Sequence, residues 1–199
     1  MSRPCMATDC GPPCSRTTDV EPFRRSGRGR ITARISLDER DYLLFLLAEL
    51  EPIVAPLPEP PGQDPLAAMV GISTADRPED PGALRLFPDA YEDPDAAAEF
   101  RRFTEQGLRS AKAASLDVVR ETLVAAGEKV VLSREQAESW VATVNDLRLV
   151  LGTRAGVTAD PDQFADLMIE DPRVPVVETY EFLGWVQATL LHALYGIEA

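Results

Sequence analysis

The sequence is poor in three residue types that carry much of protein chemistry: lysine, histidine and cysteine. It holds two lysines, Lys112 and Lys129, one histidine, His192, and three cysteines. A single histidine leaves a Ser-His or Cys-His nucleophilic site with one candidate base, and His192 lies in a predicted helix, where a surface or packing role is favoured. HExxH, GxSxG and phosphate-binding glycine motifs are also absent. The sequence therefore predicts no enzyme and no cofactor.

Long apolar runs are missing as well. The longest run of large apolar residues, 42–48, is far shorter than the roughly 20 residues that span a bilayer. The N-terminus lacks the apolar core of a signal peptide. We therefore expect a cytoplasmic protein without membrane contact, whose thiols stay reduced unless they sense or catalyse.

Acidic residues outnumber basic ones, 33 to 20, which gives a net charge of −13. The charge is unevenly placed, because residues 1–34 hold seven arginines against three acidic residues, a net of +4, and the rest of the chain carries −17. Binding to duplex DNA draws mainly on neutralising phosphates. We therefore do not expect the acidic body to bind DNA directly.

Residues 1–21 are predicted to be a disordered tail, since they contain Pro, Gly, Ser and Thr and have almost nothing to bury. All three cysteines, Cys5, Cys10 and Cys14, lie in this tail with the spacing C-x4-C-x3-C. The spacing lacks the CxxC pair and nearby histidines of a zinc site, so no metal is predicted. Two interpretations stay open. The cysteines are incidental, or they form a thiol–disulfide switch, which a short loop in a mobile tail permits at low entropic cost.

The rest of the chain, residues 22–197, predicts one mainly all-α domain of about six helices. Its organising stretch is Ser133–Val157, in which a helix is predicted from about Arg134 to Leu151, with Ser133 as its N-cap and Gly152 as its end. Apolar residues recur on one face of this helix at Trp140, Val144, Leu147 and Leu151.

Start signals for the other helices are caps and Asp-Pro pairs. They predict a helix after Ser36, a short one after Asp64, a long one from Pro94 to Gly127, a short one from Asp160 to Ile169, and a last one from Pro175 to Tyr195. The predicted buried stripe of the long helix is Phe100, Phe103, Gly107, Ala111, Ala114 and Val118.

A small β-hairpin is predicted over Phe23–Ile35, because Ile31, Ala33 and Ile35 alternate with polar residues. Its arginines include Arg24, Arg25, Arg28 and Arg30. One interpretation is an edge hairpin protected by its charge. The other is an arm that contacts nucleic acid or an acidic partner.

Arg148 falls inside the apolar sector of the central helix, and Asn145 lies at its edge. A buried guanidinium needs a partner, so we expect Arg148 to be at least partly buried and bonded to a carboxylate or to helix-end carbonyls. Glu99 and Glu105 of the long helix are the candidate carboxylates. The alternative is a polar pocket that Arg148 and Asn145 share with Asp146 and Arg154.

Trp185 and His192 lie seven residues apart on the far side of the last helix. An exposed tryptophan there indicates a partner surface, which includes the option of a homodimer. Burial of Trp185 against an N-terminal element or loop is the alternative.

Three phrases carry a resemblance to a known family: LFPDAYEDPDAAAEFRRFT at 86–104, WVATVNDLRLVLGTRAGV at 140–157 and YEFLGWVQATL at 180–190. The chain resembles a family of small actinobacterial proteins, long filed as a domain of unknown function and described as oxidative-stress transcription regulators of the AosR type. The resemblance implies that the protein senses oxidants through a cysteine disulfide, acts with an extracytoplasmic-function sigma factor, and raises cysteine-biosynthesis genes.

Our first hypothesis is accordingly a redox-responsive transcriptional regulator whose partner is a sigma factor or another transcription protein. The acidic body suits a basic protein surface better than DNA. The alternatives are a small-molecule-binding helical protein or enzyme that uses the Arg148–Asn145 region, and a structural interaction module without a redox role.

Overall fold

The computed structural model describes residues 21–58, 76–160 and 162–196. The three cysteines and the helix predicted after Asp64 lie outside this part of the chain. Within it the mainly helical fold is confirmed. The five helices there are α1 (Leu37–Val54), α2 (Pro81–Leu86), α3 (Pro94–Ala125), α4 (Arg134–Ala155) and α5 (Val174–Tyr195). None of them is long and apolar enough to cross a membrane.

A small antiparallel sheet stands at the N-terminal side, in the order β1 (Glu21–Arg25), β2 (Ile31–Arg34) and β3 (Lys129–Leu132). The hairpin of β1 and β2 is the predicted one, whereas β3 was not predicted. Ile31 pairs with Leu132 across the β2–β3 ladder, and β3 buries Val130 and Leu132 on one face. Four residues are too few to show this alternation in sequence, because β3 is stable only once β2 is beside it.

Helix α4 is the centre of the fold, since it packs against α2, α3 and α5. Trp140 is completely buried, its indole Nε1 donates to Thr122 Oγ1 at 2.8 Å, and its ring meets Phe23 edge-to-face at 5.4 Å. Ser133 caps the helix through a capping box with Gln136, as predicted. The central helix therefore links the sheet to the long helix through one buried side chain.

The predicted end of α4 at Gly152 is wrong. The helix continues to Ala155 and is capped by Gly156, whose φ of 73° places it in the left-handed region. Gly152 is buried inside the helix, where an added Cβ would lie 3.2 Å from the ring of Tyr180. Its small size therefore permits close approach of α5, and the later glycine supplies the turn.

The predicted buried stripe of α3 is also wrong. Phe100 and Phe103 are exposed, and the buried residues are Ala97, Arg101, Glu105, Arg109, Leu116, Val119 and Leu123. The buried residues therefore lie one or two positions after the predicted ones, on a different face of the helix. The reason is a set of three charged side chains that the N-terminal half of α3 turns inward.

A helix predicted from Asp160 to Ile169 is absent from the described residues of that segment, 160 and 162–169. They form successive turns with i to i+3 hydrogen bonds, such as Ala165 N to Asp162 O at 2.9 Å. Side chains compete for the local backbone donors: Gln163 Oε1 accepts from Thr158 N at 2.8 Å, and Asp160 Oδ1 accepts from Asp162 N.

Candidate functional site

The chain leads from the cysteine-containing segment directly into β1. Strand β1 lies at one edge of the sheet and packs against α5. A guanidinium nitrogen of Arg25 donates to the carbonyl of Leu194 at 3.3 Å, near the end of α5. Cys14, the last cysteine, precedes the first described residue, Glu21, by seven positions.

The basic hairpin presents its charge to solvent. Arg24, Arg25 and Arg30 are exposed, and Arg34 forms an ion pair with Glu128 at 2.8 Å. The side chain of Arg28 lies outside the described part of the structure. An edge strand with exposed arginines is protected against pairing with other strands and also presents a cationic surface.

Arg148 lies at the interface of α4 and α5 and is half-buried. Its Nη1 donates to Gln187 Oε1 at 2.5 Å, and its guanidinium lies 4.7 Å from the centre of the Tyr180 ring. Gln187 in turn donates to Asn145 Oδ1 at 3.3 Å. The guanidinium packs against Gly184, where an added Cβ would lie at an ordinary contact distance of 3.5 Å. Arg148 and Asn145 are thus joined through an amide on the neighbouring helix.

The expected pairing of Arg148 with Glu99 or Glu105 is wrong. Glu105 is 2% exposed and binds Arg101 and Arg109 instead, each at 2.8 Å. Within the described residues Arg148 has an amide and an aromatic face as partners but no carboxylate. The buried Nε of Arg148 has no hydrogen-bond partner there.

The four residues considered for a polar pocket do not come together. Asp146 points to α3, where its Oδ1 accepts from Lys112 Nζ at 2.6 Å. Burial raises the pKa of Asp146, and the hydrogen bond from Lys112 opposes this shift. Arg154 is exposed beside α1. The Arg148–Asn145 pair is therefore a link between two helices.

A buried ladder of charges on α3 was not predicted from the sequence. Arg101, Glu105 and Arg109 follow each other at four-residue spacing, and Arg101 also binds Asp89 at 2.5 Å. Arg109 donates to the carbonyls of Ile53 and Ala55 at the end of α1, at 2.6 and 3.2 Å. Hydrogen bonds from Arg77 and then Arg101 hold the pKa of Asp89 below its ordinary value. The Arg-x3-Glu-x3-Arg spacing was the available signal.

Trp185 on α5 is 38% exposed and stacks on Phe182 with ring centres 6.5 Å apart. His192 is exposed in the last turn of the same helix. The expected partner surface is thus open to solvent. Among the described residues, no group of three His, Cys, Asp or Glu side chains is placed to hold a metal ion.

Comparison with known proteins places the chain in a family. The family described as a domain of unknown function, DUF2017, matches residues 20–194, and the chain belongs to this family. It is 28% identical to the oxidative stress regulator AosR of Mycobacterium tuberculosis and to that of Mycobacterium bovis, over 94% of this chain and 97% of each relative. The putative oxidative stress regulator AosR of Mycobacterium leprae is 29% identical over 72% of this chain and 78% of the relative. No solved structure matches the chain significantly.

Proposed function

We propose that this protein is a redox-responsive transcriptional regulator in which oxidants join two of the thiols of Cys5, Cys10 and Cys14. The observation that carries the proposal is the similarity to proteins named oxidative stress regulator AosR along 94% of the chain. The placement of every cysteine within the first 14 residues supports it. Exposed thiols react with peroxide much more readily than thiols held in a packed core.

The proposed chemistry is a two-step oxidation. A cysteine thiolate attacks hydrogen peroxide, the O–O bond breaks, and the cysteine becomes a sulfenic acid while hydroxide leaves and takes a proton from solvent to form water. A second cysteine thiol then attacks the sulfenic sulfur, so that a disulfide forms and a second water leaves. Cys5 and Cys10 are the first expected pair. Cys10 and Cys14 enclose Gly11-Pro12-Pro13, whose two prolines stiffen the short loop and disfavour closure.

The proposed readout is binding to a protein of the transcription machinery, specifically an extracytoplasmic-function sigma factor. Its consequence would be higher expression of cysteine-biosynthesis genes. The charge distribution supports a protein partner, because the acidic body repels DNA phosphates and attracts basic protein surfaces. The exposed arginines of β1 and β2 follow the cysteine-containing segment in sequence, and we expect a disulfide in that segment to alter how they bind a partner.

Two measurements test this function. Peptide mass mapping after mild peroxide or diamide identifies the bridge, with Cys5–Cys10 expected first and Cys14→Ser leaving it intact. Capture of the sigma factor from treated and untreated cells tests whether the disulfide changes binding to this partner. Wild-type protein and Cys14→Ser should change their binding after oxidant, whereas the triple Cys→Ser variant should not. An unchanged oxidant response in the triple variant would exclude thiol sensing, because the chain has no other cysteine.

The bridge should leave global stability almost unchanged. The tail has almost nothing to bury, so constraining it gives the folded state little advantage. Urea denaturation of oxidised and reduced protein should therefore give midpoints that coincide. A higher midpoint for the oxidised form would show that the tail packs on the folded body and that oxidation acts through stability.

A further inference from the structure

An open apolar groove of about 260 Å³ runs between α1 and α5, with the C-terminal half of α4 as its floor. Three helices supply its apolar surface through Tyr42, Phe45, Leu147, Leu151, Pro175 and Val176. The hydroxyls of Tyr42 and Thr179 form a hydrogen bond of 2.5 Å, which ties α1 to α5 beside the groove. Thr179 also donates to the carbonyl of Pro175 at 2.7 Å, so Tyr42 is the donor of the pair.

The wall formed by α1 exposes aromatic surface. Phe45 is 57% exposed and Tyr42 is 36% exposed, and their rings stack with centres 6.4 Å apart. Two adjacent aromatic side chains beside a concave apolar surface form a site from which a bound partner can exclude water. Isolated exposed apolar residues need no such explanation, but these two line one groove.

The lining of the groove includes two side chains of opposite charge. Glu49 lies on α1 and Arg154 on α4, and both side chains are exposed. Neither forms an ion pair with another described residue. An occupant that is apolar in the middle, with a cation on one flank and a carboxylate on the other, matches this arrangement.

We propose that the groove binds an amphipathic helix of a partner protein, with its cationic flank toward Glu49 and its acidic flank toward Arg154. The α1 wall from Tyr42 to Leu50 spans nine residues, which is about 12 Å of helix and fits two turns of an incoming helix. The volume of the groove is smaller than the roughly 300–1,000 Å³ of typical small-molecule pockets. Side chains of a bound helix therefore fit the groove better than an enclosed small molecule. The proposal holds whether or not the cysteines sense oxidants.

A designed peptide tests the groove directly. The probe is an amphipathic helix of about five turns with leucines at i, i+3, i+4 and i+7, lysines along one flank and glutamates along the other. The control peptide has the same composition in an order without helical spacing. Titration into reduced, nitrogen-15-labelled triple Cys→Ser protein should shift amide signals around residues 42–50, 147–154 and 175–179, and the control peptide should shift none of them.

Variants then separate the apolar and charged contributions. Phe45→Asp should weaken probe binding at least about tenfold, because it places a carboxylate in the apolar wall. Glu49→Arg should weaken it about three- to tenfold, with the difference shrinking at high salt. Phe103→Asp is the matched control, since Phe103 is 55% exposed on α3 and outside the groove, and it should bind like the parent protein.

Three results would overturn the proposal. The first is that the two peptides bind equally well or that neither peptide binds. The second is binding that Phe45→Asp leaves unchanged, or amide shifts centred on another surface such as Trp185. The third is a concentration-dependent dimer in analytical ultracentrifugation that Phe45→Asp abolishes, because a second copy would then be the occupant. All of these use protein without cysteines, so their outcome is separate from the test of oxidant sensing.

Discussion

Arg148 shows how one cation is accommodated between two helices without a carboxylate. Its charge is stabilised by the amide oxygen of Gln187 and by the face of the Tyr180 ring, and the residue as a whole is half-buried. A half-buried guanidinium of this kind costs less to remove than a buried ion pair, because no opposite charge is left behind.

Arg148→Ala should therefore lower the free energy of unfolding by about 1–2 kcal/mol, the sum expected for one charged hydrogen bond and one cation–π contact that are partly solvated. Urea denaturation measures the change. A double-mutant cycle with Gln187→Ala should show coupling between the two residues. A loss typical of a broken buried ion pair, or additivity in the cycle, would contradict this assignment.

Asp89 couples the charge ladder to pH. Its pKa is lowered in the folded protein, so its stabilisation is present above the ordinary pKa of 3.8 and is lost as the pH falls through the lower folded value. Asp89→Asn should be less stable than wild type at neutral pH, and the difference should shrink as the pH falls below 3.8. Thermal denaturation of both proteins from neutral pH to below pH 3.8 tests the direction of this change in the stability difference. Asp166→Asn, at an exposed aspartate, should track wild type.

Helix α3 gains its buried polar face from partners distant in sequence. Arg109 satisfies carbonyls at the end of α1, and Arg101 reaches Asp89 and the carbonyl of Phe87. Each arginine is therefore fully bonded only when these loops are in place. Glu105 holds the two cations together from between them.

Glu105→Ala should destabilise the protein by about 3–5 kcal/mol, since it leaves two buried guanidinium groups without their shared carboxylate. Glu99→Ala on the same helix is the control, because Glu99 is exposed, and it should change stability by no more than about 0.5 kcal/mol. Chemical denaturation of both variants measures the contrast. Similar unfolding midpoints for the two variants would show that the charge ladder makes no net contribution to stability.

Two glycines at the α4–α5 contact are predicted to respond oppositely to alanine. At Gly184 the new methyl group meets Arg148 at an ordinary 3.5 Å, so helix propensity should stabilise the variant by up to about 1 kcal/mol. At Gly152 it meets the Tyr180 ring at 3.2 Å, and that ring is fixed under Arg148, so a loss of about 1–2 kcal/mol is expected. Thermal denaturation compares the pair, and a stabilised Gly152→Ala would show that α5 can move away.

The elements that sequence predicted correctly are those whose signals are local. The capping boxes at Ser36 and Ser133 and the burial of Trp140 depend on residues within one or two turns. The face of α3 was misplaced because Phe100 and Phe103 looked more apolar than the ladder, whose burial depends on Asp89 and on carbonyls of α1. Strand β3 was missed for the same reason, as its partner β2 is far away in sequence.

For the protein as a whole, three candidate surfaces are formed by different residues. The basic strands follow the cysteine-containing segment in sequence, the Trp185 surface lies on α5, and the apolar groove lies between α1 and α5. Of these, sequence predicted the arginines from composition, whereas for Trp185 it left exposure and burial as alternatives. The groove could not be predicted, since it needs the relative placement of three helices.

The pairing of β2 with β3 also bears on the order in which the protein matures during synthesis. Ile31 can pair with Leu132, and β1 can pack against α5, only after those later segments have been synthesised. A ribosome adding roughly 5–20 residues per second leaves the first strands without these neighbours for on the order of ten seconds. The N-terminal strands are thus synthesised well before the segments that they pack against, so closure of the sheet depends on the later part of the chain.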